Sequence, residues 1–211
     1  MNHHPHESTL MAYAMGTASE AQAVLVACHL TLCPVCRRTV GDLEAIGGAG
    51  LEASTPLPAD DLLEQVLAQL DDADPTLEAA YDEDGVLPSS IARLVGSFSE
   101  LPWRWRAPGV EEVTVPDVQT DGMPLRLFRL RPGSVVPAHR HRGQETTLVF
   151  TGGFTDEQGH FTRGDVADRG EEGIHTQRID EGEPCVVLVA ADHPLVPLTL
   201  RGRFMKWFRD F

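Results

Sequence analysis

The feature that most limits what this chain can fold into is a spaced set of glycine, histidine and glutamate residues. It reads G-x5-H-x-H-x3-E-x6-G, from Gly133 through His139, His141 and Glu145 to Gly152. The two histidines stand two positions apart, so in a β-strand both imidazoles face the same side. A bend after the second histidine lets the carboxylate reach the same point. The pattern therefore predicts a metal site inside an all-β unit.

A fourth ligand for this site comes later in the chain. His175 follows Glu145 by 30 residues and can complete the set from a facing strand. Three imidazoles and one carboxylate suit Zn²⁺ but also Fe, Mn or Ni, and ligand type alone does not select among them. From about Trp103 onward, short apolar runs broken by Gly and Pro predict several strands in a barrel or sandwich, at 113–115, 125–130, 146–150, 185–190 and 198–200.

The N-terminal part contains a second set of metal-ligand residues. His29, Cys33 and Cys36 form the pattern H-x3-C-x2-C. A helix–turn–helix corner brings such residues together, and thiolate and imidazole atoms are the ligands of structural zinc. Three ligands leave a tetrahedral site one short, and a histidine near the N-terminus can supply the fourth: His3, His4 or His6.

The cysteine pair also allows two interpretations other than a zinc site. A redox-active C-x-x-C pair normally follows a strand, whereas Cys33 and Cys36 lie between predicted helices. The second alternative is that Cys33 and Cys36 are core cysteines that bind no metal, and that His29 lies near them by chance. The four cysteines of the whole chain favour metal or free thiols over a disulfide framework. Zinc is the interpretation we favour.

Helical periodicity and capping signals predict four helices in the first 70 residues. We expect them after a Ser8 cap to Gly16, from Glu20 to about Leu32 behind Ser19, from Pro34 to Gly47-Gly48, and after Asp60 or Asp61. The fourth helix carries one apolar stripe: Leu63, Val66, Leu67 and Leu70. A change of composition after this helix predicts a helical domain at 1–85, a linker at 86–102 and a β domain at 103–211.

Charge and hydropathy exclude several classes of partner. Residues 1–90 carry 15 acidic and two basic side chains, within a formal net charge of −15 for the whole chain. Such an acidic half is repelled by phosphate backbones, which argues against direct nucleic-acid binding and favours a basic protein surface. No run of about 18 apolar residues predicts a membrane span, and no signal peptide begins the chain. We therefore expect a cytoplasmic protein.

Both sets of residues resemble known families. The His…H-x3-C-x2-C order, with Leu10-x-Ala12-Tyr13-Ala14-x-Gly16, resembles the zinc-binding anti-sigma domain of the ChrR type. The resemblance implies a small four-helix domain that holds Zn²⁺ through His4, His29, Cys33 and Cys36 and binds an extracytoplasmic-function sigma factor. It also implies release of that sigma factor under singlet-oxygen or peroxide stress.

The C-terminal pattern is similar to the first signature of the cupins, whose fold is a double-stranded β-helix barrel. On that resemblance the metal ligands are His139, His141, Glu145 and His175. The second cupin signature matches less well. Gly164 and His175 stand at its distances, but its proline, second glycine and asparagine are replaced here by Gly170, Glu172 and Ile179.

The sequence therefore predicts a two-domain anti-sigma factor, with no catalytic residues and a barrel that senses a signal. The alternative is a metal-dependent cupin enzyme, dioxygenase- or isomerase-like, whose N-terminal helices form a dimerisation module. A metal-handling protein is a third hypothesis. Co-purification of a sigma factor favours the first, and turnover of a small substrate that depends on Glu145 favours the second.

Overall fold

A computed structural model describes residues 1–54, 61–71, 84–118, 124–170, 174–193 and 196–198. Within these ranges the helices precede the strands along the chain. This order confirms the prediction of helices at the N-terminus and an all-β unit after them. The exact domain limits remain a prediction, and the last 13 residues of the predicted β domain lie outside the described ranges.

The helical part contains five α-helices in the described ranges. They are α1 (Glu7–Ala14), α2 (Glu20–Leu32), α3 (Pro34–Glu52), α4 (Leu62–Asp71) and α5 (Ser89–Val95), followed by a short 3₁₀ turn at Phe98–Glu100. The first four correspond to the four predicted helices. The fifth lies within residues 86–102, which the sequence predicts as a linker, and it packs against α2.

Local signals place the helix starts better than the helix ends. The Ser19 hydroxyl caps α2, and Pro34 opens α3, where no backbone N–H is needed. The predicted Ser8 cap is wrong, because His6 is the N-cap of α1 and its Nδ1 accepts the backbone N–H of Ser8. The predicted stop at Gly47-Gly48 is also wrong. Glycine lowers helix propensity without removing a backbone donor, so α3 continues through the pair to Glu52.

The strands form two antiparallel sheets. They are β1 (Arg104–Ala107), β2 (Val110–Thr114), β3 (Arg126–Leu130), β4 (Val135–Arg140), β5 (Glu145–Thr151), β6 (Gly153–Asp156), β7 (Gly159–Thr162), β8 (Val166–Arg169), β9 (His175–Ile179), β10 (Cys185–Ala191) and β11 (Val196–Pro197). One sheet has the order β1-β2-β3-β10-β5-β8 and the other β11-β4-β9-β6-β7. The predicted run at 198–200 lies mostly outside the described residues.

The central strand β10 is buried on both faces. Cys185, Val187 and Val189 belong to the core between the two sheets. Val186 and Leu188 point the other way, into a core shared with the helices. This alternation follows from the two-residue period of a strand. The six-stranded sheet therefore forms one wall of the barrel and also the floor on which the helices pack.

Helices α2 and α5 cover the outer face of that sheet. Leu25 and Cys28 of α2 and Ile91 of α5 belong to the same buried cluster as Leu125 and Leu188 of the sheet. Helix α2 contacts both β5 and β10. Burial of this apolar surface holds His29, near the end of α2, against the barrel.

Candidate metal centres

The structure brings together the four predicted N-terminal ligands. The ligand atoms of His4, His29, Cys33 and Cys36 all lie within 4.8 Å of one another. The Nδ1 atom of His4 is 3.5 Å from the Cys33 Sγ and 3.3 Å from the Cys36 Sγ. A tetrahedral zinc ion with bonds of about 2.0–2.3 Å holds its ligand atoms at about this separation.

The three N-terminal histidines occupy different positions. The His3 ring packs on Phe161, with 4.2 Å between the ring centroids. The His6 ring faces the Ser8 hydroxyl at 2.7 Å, at the start of α1. Only His4 of the three belongs to the cluster with His29 and the cysteines. The geometry thus favours His4 among the alternatives that the spacing leaves open.

The chemistry of this cluster fits a cation that binds thiolates. Burial, followed by the hydrogen bond with Cys33, raises the pKa of the Cys36 thiol to about 12. Burial lowers the pKa of His29, which favours the neutral imidazole that coordinates metal. The buried Nε2 of His29 has no hydrogen-bond partner in the part of the chain that the structure describes. A metal ion in the cluster satisfies this nitrogen and stabilises the thiolates.

Local structure explains how the two cysteines converge. Cys33 ends α2 and is the N-cap of α3, where its Sγ accepts the backbone N–H of Cys36 at 3.5 Å. Cys36 lies in the first turn of α3, so both sulfur atoms sit at a helix N-terminus. The partial positive charge of the helix dipole therefore lies near both sulfur atoms.

The barrel contains a second cluster, formed by three buried histidines. The ligand atoms of His139, His141 and His175 lie within 4.8 Å of one another. His139 of β4 pairs directly with His175 of β9, and the Nε2 atoms of His141 and His175 are 3.0 Å apart. Each of these residues is at most 2% exposed. Three imidazoles in this arrangement suit a divalent transition metal.

Hydrogen bonds behind the imidazoles orient them. The Nδ1 of His139 lies 2.9 Å from the backbone carbonyl of Pro137, so its Nε2 is left for the cluster. The Nδ1 of His175 lies 3.4 Å from the Asp156 carboxylate. A carbonyl or carboxylate behind a ligand histidine fixes its tautomer and raises its basicity. Burial, and then the nearby His175, lowers the pKa of His139 to about 3, which keeps this imidazole neutral.

The fourth predicted ligand of the barrel stands slightly apart. Glu145 is not among the residues whose ligand atoms cluster. One of its carboxylate oxygens lies 3.5 Å from the Nδ1 of His141, and the other accepts the Thr147 hydroxyl at 3.4 Å. The carboxylate is therefore adjacent to the three imidazoles but faces the side of His141 away from His175. Its role as a metal ligand remains a prediction.

A cavity opens beside the barrel histidines. Its space is about 440 Å³, including the open mouth. Polar side chains line one part of it: His139, Glu145, Thr147 and Gln177. Apolar side chains line the rest: Phe128, Leu130, Val136, Phe154, Val187 and Val189. Most of this space is open to solvent, and the enclosed part can admit only a molecule of a few atoms beside His139 and Glu145.

A buried ion pair supports the barrel cluster, and the sequence pattern contains no signal for it. Arg169 of β8 pairs with Asp156 of β6, and the side chains are 2% and 0% exposed. The same arginine places its Nε 3.4 Å from the Nδ1 of His175. Burial alone raises the pKa of Asp156, but hydrogen bonds with His175 and Arg169 outweigh it and lower the pKa to about 2.

Replacing Arg169 with methionine (R169M) leaves the buried Asp156 carboxylate without its cation. Removing one partner of a buried ion pair costs about 3 kcal/mol or more. We expect the free energy of unfolding in urea to fall by that amount, and the double variant R169M/D156L to recover part of it. An R169M protein as stable as the parent would show that the pair contributes no net stability.

Comparisons with known proteins cover both clusters. Residues 92–194 match the family described as the ChrR Cupin-like domain. Over 198 residues the chain is 38% identical to the anti-sigma-E factor ChrR of Cereibacter sphaeroides, a match that covers 92% of each protein. It also resembles the ChrR chain in the crystal structure of Rhodobacter sphaeroides SigE in complex with the anti-sigma ChrR. That likeness has a TM-score of 0.74 and 37% identity, and covers 90% of this chain and 99% of that chain.

Two further observations bear on the class of protein. The match to the ChrR Cupin-like domain confirms the predicted cupin-like fold of the C-terminal part, although the second cupin signature is incomplete. Among the described residues, we find no helix with the length and apolar character needed to cross a membrane.

Proposed function

Because this chain belongs to the ChrR-type family of anti-sigma factors, we propose that it binds an extracytoplasmic-function sigma factor and keeps it inactive. Family membership makes it a regulatory protein rather than an enzyme, so the metal-dependent enzyme considered above is set aside. The observation that carries the proposal is 38% identity along 92% of both proteins, which spans the helices and the barrel.

The helical part offers a surface that fits a protein partner. Large apolar side chains are exposed on α1, α3 and α4: Met11, Met15, Val35, Ile46, Leu51, Leu62, Leu63, Val66 and Leu67. Exposed apolar patches on a protein surface often mark protein-interaction sites. The acidic charge of residues 1–90 adds attraction for a basic surface and speeds the encounter.

Helix α4 is the strongest part of this surface. Leu63 is 71% exposed and Leu67 is 52% exposed. Residues four positions apart share one face of a helix, so the two side chains form a continuous apolar ridge. We assign this ridge to contact with the sigma factor.

Glutamate at both ridge positions (L63E/L67E) is expected to weaken sigma-factor binding at least tenfold. The variant places two charges in an interface that otherwise excludes water, and it leaves the metal clusters intact. Affinity is measured by calorimetry with the purified sigma factor, and metal content by atomic emission. Val135, 48% exposed on the barrel, supplies the control V135E. Equal loss in V135E would show that added negative charge, rather than the ridge, is responsible.

The N-terminal cluster binds Zn²⁺ through His4, His29, Cys33 and Cys36 in this proposal. The ion joins the end of α2, the start of α3 and the N-terminal segment, and so fixes the helices that meet the sigma factor. The burial of three ligands, the unpaired Nε2 of His29 and the spacing of the ligand atoms support this assignment. The zinc ion has a structural role, because four protein ligands leave no open position on a tetrahedral ion.

The barrel cluster acts as the sensor. Zn²⁺, or Fe, Mn or Ni, is held by His139, His141 and His175, with Glu145 as the fourth ligand. Oxidative stress from singlet oxygen or peroxide changes this site and releases the sigma factor. The cavity that reaches the histidines supports access by a small oxidant. The protein acts in the cytoplasm, without binding nucleic acid or membrane directly.

Co-expression of the full chain with an extracytoplasmic-function sigma factor of the same organism tests the proposal. We expect the two proteins to co-purify and a promoter that depends on the sigma factor to be repressed. The control is the same experiment with a primary sigma factor, which should not be captured. If the full chain neither captures the sigma factor nor represses its promoter, the anti-sigma function is refuted.

A further inference from the structure

The N-terminal segment, residues 1–6, lies against strand β8 of the barrel. The backbone N–H of Val166 donates to the His3 carbonyl at 3.1 Å. The backbone N–H groups of Asn2 and His3 donate to one oxygen of Asp165, at 2.7 and 3.1 Å. Farther along, the N–H of His6 donates to Asp168 at 3.0 Å. These bonds bracket His4, the ligand of the zinc cluster that comes from this segment.

Asp165 is built for this contact. The residue is 0% exposed, and its second carboxylate oxygen accepts the backbone N–H and hydroxyl of Thr162 at 2.9 and 3.1 Å. Burial opposes its ionisation, but backbone hydrogen bonds from Thr162, His3 and Asn2 outweigh this and lower the pKa of Asp165. The carboxylate is thus held charged between a turn of the barrel and the N-terminal segment.

A second contact joins the zinc cluster to the same stretch of barrel. The Nδ1 of the buried His29 lies 2.9 Å from the backbone carbonyl of Gly164. With Nδ1–H donating to that carbonyl, the Nε2 of His29 is left to face the cluster. A carbonyl behind a ligand histidine fixes its tautomer and orientation. Here the carbonyl belongs to the barrel, 135 residues away in sequence.

The other end of the same stretch contacts the barrel cluster. Arg169 lies against His175 and pairs with Asp156. Asp168, whose one oxygen accepts the His6 N–H, accepts the Thr146 hydroxyl with the other at 2.7 Å. Six consecutive residues therefore touch both histidine clusters. Gly164 and Asp165 precede β8 and form backbone hydrogen bonds with Val149 and Thr162, and Val166–Arg169 pairs with β5. A shift at one end of this connected stretch can therefore reach the other end.

We propose that residues 164–169 are a positioning element that orients His4 and His29 for zinc and makes the hold on that zinc depend on the state of the barrel cluster. Asp165 and Asp168 fix the segment that carries His4, and the Gly164 carbonyl fixes His29. Arg169 transmits the state of His175. The inference rests on metal binding by both clusters, which is part of the function proposed above.

Cobalt(II) is the probe for the test, because its thiolate charge-transfer absorption arises at the cysteine-containing cluster and not at the barrel histidines. The full chain is loaded with cobalt, and the decay of this band is followed after addition of excess EDTA. Mutation of a residue that hydrogen-bonds a metal ligand typically lowers the metal affinity by about 10–100-fold. We expect the D165N/D168N variant to lose cobalt about tenfold faster than the parent.

Two matched variants separate positioning from general damage. Asp84 also accepts a backbone N–H and a serine hydroxyl from a neighbouring segment, at 2.8 and 3.2 Å, so D84N is the control and should release cobalt at the parent rate. Asn2→Pro removes a backbone N–H that donates to Asp165 and changes no residue of the barrel. It should also accelerate cobalt release, as D165N/D168N does. Release from D165N/D168N at the D84N rate would overturn the positioning role.

Coupling to the barrel is tested by a double-mutant cycle with His175→Ala. This change should accelerate cobalt loss from the thiolate cluster at least about threefold in the parent and add little to D165N/D168N. A full additional effect in that background would overturn transmission through residues 164–169. The cycle requires no sigma factor. Failure to capture one would refute the proposed function while leaving the measured coupling in place.

Discussion

Cys36→Ala is expected to abolish both zinc binding at the N-terminal cluster and repression by the protein. A structural zinc ion contributes about 10–16 kcal/mol of apparent binding free energy, more than the net stability of a small domain. Loss of one thiolate leaves three ligands, of which His4 is exposed. The corner between α2 and α3 then loses the ion that shapes it.

The measurement is zinc content of the purified full chain together with sigma-dependent promoter activity. Cys28→Ala is the matched control, because Cys28 is buried beside His29 but lies outside the cluster. That change removes one hydrogen bond with Ser90 and should cost about 1 kcal/mol while zinc and repression persist. A C36A protein that represses normally without zinc would remove the structural role assigned to the ion.

His141→Ala is expected to separate repression from induction. The imidazole is 2% exposed, and its Nε2 lies 3.0 Å from that of His175, so its loss opens the three-histidine cluster. We expect loss of the barrel metal and a response to singlet oxygen or peroxide that falls at least about tenfold. The helical surface is untouched, so repression without stress should remain close to that of the parent.

Metal content by atomic emission and promoter activity before and after stress provide the two readouts. His160→Ala is the control, since this histidine is exposed on β7 and bonded only to the surface carboxylate of Asp180 among the described contacts. It should leave both readouts unchanged. An H141A protein that no longer binds the sigma factor would contradict the separation of the two roles.

Spacing identified most residues of the two clusters, because ligand geometry constrains which positions can converge, whereas His4 was named only through the resemblance to the anti-sigma family. His139 and His141 share a strand face, and Cys33 and Cys36 share a helix corner. Such local relations are visible in sequence. The choice of His4 over its neighbours is not, because it depends on how the N-terminal segment lies on β8, a contact across more than 160 residues.

The buried charged residues of the barrel could not be predicted from the sequence. Asp156, Asp165 and Arg169 stand near strand ends, where charged side chains are usually solvated, and no periodicity sets them apart. Asp156 and Arg169 are buried because β8 of one sheet packs against the paired strands β6 and β9 of the other sheet. Asp165 is buried because the N-terminal segment lies against it. The direction of the Glu145 carboxylate could not be predicted from the sequence either. Its spacing predicts a ligand, but the start of β5 directs the carboxylate toward the outer nitrogen of His141.

The shared burial of β10 has a consequence for modularity. Leu188 faces the helices and Val187 faces the barrel interior, so one layer of backbone separates two apolar compartments. A barrel of this kind transplanted onto another effector would therefore carry an exposed apolar face unless equivalents of α2 and α5 were transplanted with it. We therefore expect the unit that can be exchanged between proteins to be the barrel together with α2 and α5.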